Sequence, residues 1–204
     1  MRESGTQVSR RATRRGKLSM KHPSNREFFA YWDNKRGDAR APDRSDIEPG
    51  AVRELLGDIF VLSYDGDAGY PFRVAGTRVC ALLGRDLKDK SFSALFAPES
   101  RREIEEITAV VAEELLGAVA GITATSQDGS PAHLELLLLP FNTRAHTPIS
   151  LTGLLAPFDN GYGVLGDFKL TSWRYLAHPP QRLVPRALRK LAIARGLMVY
   201  EGLR

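Results

Sequence analysis

Residues 70–87, YPFRVAGTRVCALLGRDL, constrain the fold more than any other stretch. They read as a strand, a break at Gly76, a short helix and a second break at Gly84. Thr77 is placed to cap that helix, whose inner face is Val79, Leu82 and Leu83. Gly84 supplies a left-handed exit, and Arg85-Asp86 follow it. Upstream, residues 59–64 (IFVLSY) form a continuous apolar strand, joined to the stretch by the turn 65–69. The pair is a hairpin, and Pro71 puts the start of its second strand at an edge.

The rest of the chain follows the same alternation. Residues 91–96 form another helical turn, and Pro98 opens a long helix to about Leu116 with Ile104, Ile107, Val111 and Leu115 on its core face. Glu99, Glu103, Glu105 and Glu106 crowd its first half, where the helix dipole favours negative charge. Three strands are expected next, over 118–126, 132–142 and 148–158, the first two joined by an Asp128-Gly129 turn. Strands, helices, then strands fit an α+β domain: an antiparallel sheet with helices on one face, because all links but the helical crossover are short.

Before this domain, Ser24 and Glu27 have the spacing of a capping box. Phe28, Phe29 and Trp32 then mark the apolar face of a helix that Gly37 stops. It has two readings: a helix docked on the domain, or a dimerisation helix, which exposed aromatic rings would favour. A connector follows at 41–46 and a short helix at 49–56.

Composition adds limits. The net charge of +5 is uneven: +6 over residues 1–22, +5 over 177–204 and −6 between them. The first 22 residues read as a disordered basic arm, although Met20 offers a second translation start that would remove it. The single cysteine, Cys80, allows no internal disulfide. No apolar run approaches a membrane span, the start lacks the apolar core of a secretory signal, and Ser9-Arg10-Arg11 lacks the apolar residues a twin-arginine signal needs. A cytoplasmic protein is the expectation.

The core motifs, Arg73-Val74-Ala75-Gly76-Thr77 and Leu83-Gly84-Arg85-Asp86-Leu87, together with Arg44-Ser45-Asp46-Ile47, resemble the PAS domain over residues 44–158. The resemblance is to a largely uncharacterised bacterial group of single-PAS proteins. It implies a five-stranded antiparallel sheet with helices on one face. The N-terminal helix (23–43 with its connector) and a basic extension (159–204) flank that domain. It also implies a sensory or adaptor role, carried out as a homodimer or through a signalling partner protein.

The cofactors that PAS domains hold each demand particular residues. Oxygen-sensing haem domains of this fold place a ligating histidine on the long helix. Here residues 98–116 contain none; the histidines are His22, His133, His146 and His178. Flavin-binding light sensors carry a reactive cysteine in an N-C-R-F-L-Q run, and Cys80 has neither the Asn nor the Gln. Haem and flavin are therefore disfavoured, and Cys80 reads as a small buried apolar side chain. A pocket for a small apolar ligand remains, lined by Phe72, Val74, Leu83, Ile107, Leu136, Leu138 and Leu151. Arg73, Arg85 and Asp86 are candidates for a signalling surface, though Gly84-Arg85-Asp86 equally fixes a turn.

Other motifs dissolve on inspection. Residues 161–166 match G-x-G-x-x-G, but a strand-like run follows rather than a helix, and no acidic residue stands about 20 positions on. Asp65-Gly66-Asp67 starts like a calcium loop, yet the later ligand positions fall on Gly69 and Gly76. No nucleophile, base and orienter assemble, so no enzyme is expected. In the tail, residues 185–195 can form a short basic helix with Leu188, Leu191 and Ala192 on one face, and residues 197–200 can add as a strand. The alternative function is contact with nucleic acid or an anionic membrane through the two basic ends.

Overall fold

The computed structural model describes residues 20–176 and, for the backbone alone, residues 189–194 and 197–201. Strands β1 (Ile59–Ser63) and β2 (Phe72–Ala75) form the hairpin, followed by α2 (Thr77–Leu83) and α3 (Pro98–Glu114). The helix before them is α1 (Pro23–Arg36). After them come β3 (Gly117–Ser126), β4 (Pro131–Pro140), β5 (Ser150–Pro157), β6 (Leu165–Leu176), β7 (Arg189–Ala194) and β8 (Leu197–Glu201). The sheet order is β2-β1-β5-β4-β3-β6-β7-β8, with every pairing antiparallel. Because β5 returns to β1, the hairpin and the later strands join one sheet while α2 and α3 pack across one face.

The expected α+β architecture stands, with more strands than the five anticipated. β6 runs along β3 from Leu176 opposite Gly117 to Leu165 opposite Ser126, so the start of the extension is part of the sheet. Its far edge offers unpaired backbone groups, and Arg189–Ala194 takes them up as β7. The basic helix anticipated at 185–195 is thus corrected over 189–194, while 177–188 lie outside the described residues. The strand anticipated at 197–200 is β8. Met20, Lys21 and His22 belong to the folded part, against the anticipated arm of 1–22; residues 1–19 lie outside the description.

α1 lies on the other face of the sheet. β4 explains why: Leu134, Leu136 and Leu138 point to the α2–α3 side, while Leu137 and Leu139 point away, and all five are buried. A strand apolar on both faces needs cover on both. Phe28 and Trp32 supply it, fully buried against Leu137, Leu139 and Leu154, and the indole N–H of Trp32 donates to Pro140 O at 3.0 Å. Of the two readings for this helix, docking on its own domain is the one its aromatic residues satisfy. Its cap also differs from expectation: His22, not Ser24, is the N-cap, and its Nδ1 accepts the Ser24 N–H at 3.2 Å. Pro23 at the first helical position sets this start.

α2 likewise begins one residue earlier than expected, with Gly76 as its N-cap and Gly84 as the left-handed exit at φ 63°. Gly76 is needed for closeness. A Cβ there would stand 2.2 Å from Leu56 O and 2.3 Å from Gly57 O. Val79 and Leu83 are buried, and Leu82 is half-buried.

Candidate functional site

Six of the seven pocket candidates come together. Phe72, Leu83, Ile107, Leu136, Leu138 and Leu151 are all buried in the core between the sheet and α2–α3. Val74 does not join them, being 52% exposed. The pairing explains the correction: Phe72 faces Leu62, but Val74 faces Val61, because the β1–β2 register shifts between Val61 and Leu62. One extra residue on β2 inverts the parity, so Phe72 and Val74 end on opposite faces.

Aromatic rings fill much of this interior. Phe60 contacts Phe72 and Phe92 at centroid distances of 5.4 Å each, Phe92 contacts Phe96 at 5.5 Å, and Phe96 contacts Phe168 at 5.8 Å. Phe60 lies over Gly153 of β5, where a Cβ would stand 2.3 Å from its Cζ. At the rim, Tyr70 has a buried hydroxyl without a hydrogen-bond partner among the described residues. Burial, then the charge of Glu113, pushes its pKa up to about 12, so it stays a phenol.

The candidate signalling residues lie along the β2 edge. Residues 87–91 run back beside β2, with Phe72 N–H donating to Lys90 O and Asp89 N–H to Phe72 O. Arg73 reaches Asp89 at 3.4 Å, both exposed. Asp86 Oδ1 accepts the Lys88 N–H at 3.0 Å, which fixes the turn, while Arg85 has no side-chain partner among the described residues. Cys80 is half-buried, with Sγ 3.9 Å from Ala75 O.

The sequence reading missed a carboxylate. Glu135 of β4 is 5% exposed, on the α1 face. It accepts the N–H groups of Lys21 at 2.7 Å and His22 at 2.9 Å, and the Asn25 amide at 3.0 Å. Asn25 is itself fully buried, and its Oδ1 has no partner among the described residues. Among the described residues three N–H donors and no cation hold this carboxylate, and together they pin the start of α1 to the sheet. The signal was a lone Glu in the apolar run 134–139.

Beside this anchor lies a cavity of about 380 Å³ whose wall includes His22 and Ser24 of the α1 start, Arg78 and Leu82 of α2, and Asp159 and Tyr162 of the β5–β6 loop. Arg78 makes a two-pronged pair with Asp58, Nε to Oδ1 at 2.8 Å and Nη2 to Oδ2 at 2.7 Å, which raises the Arg78 pKa. Tyr162 donates its hydroxyl to Asp159 at 3.0 Å; burial, then this bond, raises the Tyr162 pKa.

The remaining motifs are structural. Asp65 Oδ1 accepts the N–H groups of Asp67 and Ala68, closing a turn. The G-x-G-x-x-G run leads into strand β6. Among the described residues no group of three or more His, Cys, Asp or Glu is placed to hold a metal ion, and no helix is long and apolar enough to cross a membrane.

The family model described as "PAS domain" matches residues 20–156, and the chain belongs to that family. The match takes in α1, which the sequence resemblance placed outside the domain. Solved structures similar to this chain include a light-oxygen-voltage domain studied with a flavin analogue, at 13% identity, covering 54% of this chain and 84% of that one, with a TM-score of 0.43. A fungal light-oxygen-voltage photoreceptor matches at 14% identity over 50% and 74%, TM-score 0.39. The PAS domain of a protein from Colwellia psychrerythraea matches at 13% over 54% and 98%, TM-score 0.41. Comparison with curated proteins gave no match.

Proposed function

We propose that this chain is a non-catalytic sensory or adaptor module in bacterial signalling, and that it acts through a second copy of itself or a partner protein. Membership of the PAS family supports the sensory class. The observation that carries the finer reading is the placement of α1: an N-terminal helix docked across the sheet by Phe28 and Trp32 and pinned at its start by Glu135. A helix held this way couples the sheet to whatever precedes it in the chain. The module works in the cytoplasm, and a small ligand is the natural input.

The test is native mass spectrometry of the full chain, with light scattering for the oligomeric state. A dimer, or a retained small molecule, is the expected result. An empty monomer at micromolar concentration would overturn both the dimer and the resident-ligand parts of the reading.

A further inference from the structure

We propose that the cavity between the start of α1, α2 and the β5–β6 loop is a site for a small zwitterion, an α-amino acid or a molecule of similar size carrying one ammonium and one carboxylate. It is separate from the PAS interior, and its lining carries unspent hydrogen-bonding valence. On one wall, Arg78 spends Nε and Nη2 on Asp58 and on Glu54 O, leaving Nη1 without a partner among the described residues. Asp58 neutralises most of the Arg78 charge, so this wall offers N–H donors more than net charge. His22 adds another donor. Its Nδ1 accepts the Ser24 N–H at 3.2 Å, so in the neutral ring the proton sits on Nε2.

The β5–β6 loop brings complementary chemistry to the same cavity. Asp159 is exposed and, among the described residues, accepts only the Tyr162 hydroxyl, at Oδ2, which leaves Oδ1 open to a cation. Leu82, Ala156 and Pro157 supply apolar surface to the lining. A ligand bearing only an anion would leave Asp159 uncompensated, and one bearing only a cation would bring no acceptor for the N–H donors of Arg78 and His22. A zwitterion satisfies both. The volume of about 380 Å³ lies at the small end of ligand pockets, which suits an amino acid rather than a nucleotide or flavin.

The experiment is a titration of the isotope-labelled full chain, followed by amide NMR, with a panel of apolar and polar α-amino acids. Each binder is then compared with its N-acetyl and methyl-ester forms, which remove one charge apiece. Saturable shifts confined to His22, Ser24, Arg78, Leu82 and residues 156–162 are expected. Loss of either ligand charge should weaken binding by about tenfold or more, the loss of one charged hydrogen bond. Asp159→Asn, in an exposed loop, should abolish the difference between the amino acid and its N-acetyl form and leave the spectrum folded. Three results would each overturn the proposal: no saturable shift from any panel member at about 10 mM, a weak site by any standard; equal binding of the singly charged forms; or shifts centred on Phe72, Phe92 and Ile107 instead.

Discussion

Gly153→Ala is the sharpest probe of the interior. The new methyl group would stand 2.3 Å from Phe60 Cζ, 2.7 Å from Cε2 and 2.8 Å from Leu137 O. Ordinary carbon contacts lie at about 3.5–4.0 Å, so the ring must retreat by roughly 1 Å or more. It has little room, because Phe60 already rests on Phe72 and Phe92. Overpacking of this kind costs about 1–3 kcal/mol. For a chain of this size that corresponds to a fall in Tm of roughly 2–12 °C. Phe60→Leu removes the ring atoms the methyl group would meet and by itself destabilises through lost packing. In the double variant the clash with the ring is gone while the close approach to Leu137 O remains, so the two costs should fall short of their sum by about 1 kcal/mol. Urea denaturation of the four proteins measures the cycle. Additivity within about 0.5 kcal/mol would refute the claim that the Phe60 ring is seated on Gly153.

Three further outcomes follow from the geometry. Trp32→Phe keeps most of the apolar contact but strips the Pro140 carbonyl of its donor, so stability to urea should drop by about 1–3 kcal/mol. Val74→Ser, on the exposed side of the β2 bulge, should cost under about 0.5 kcal/mol, whereas Phe72→Ala in the core should cost about 3–5 kcal/mol; equal losses in thermal melts would contradict the inverted parity. Asp128 accepts from Ser126 first, then Ser130, which lowers its pKa from 3.8 to about 2. A lowered carboxylate pKa stabilises the fold above the unfolded value and is lost as pH falls through the folded one. Asp128→Asn should therefore flatten the stability profile between about pH 4 and pH 2, read from melting curves across that range.

Much of the fold was legible because local chemistry and tertiary structure agree. The β1–β2 hairpin, the α2 exit at Gly84, the Pro98 start of α3 and the Asp128-Gly129 turn are each specified by residues close in sequence. The misses share a cause: each depends on something distant. Whether Val74 points inward depends on a bulge set by pairing with β1. Whether Arg189–Ala194 is helix or strand depends on the open edge of β6, which local helix propensity does not register. The place of α1 was readable in principle, since the unbroken run Leu136–Leu139 has no polar face to give to water. Of the candidate site, the six core residues were found by strand and helix periodicity. Glu135, Arg78 and Asp58 were not, because their partners lie far away in the chain.

The way Glu135 grips the N-terminal segment has an evolutionary side. Two of its three donors are main-chain amides, which nearly every residue type possesses. Lys21 and His22 can therefore drift in identity without weakening the grip at those two bonds, although the ring of His22 would be missed elsewhere. Proline alone among the standard residues brings no amide hydrogen. Among related chains the attachment should accordingly leave its trace on one side only, as a persistent acidic residue in β4 facing a variable dipeptide that excludes proline.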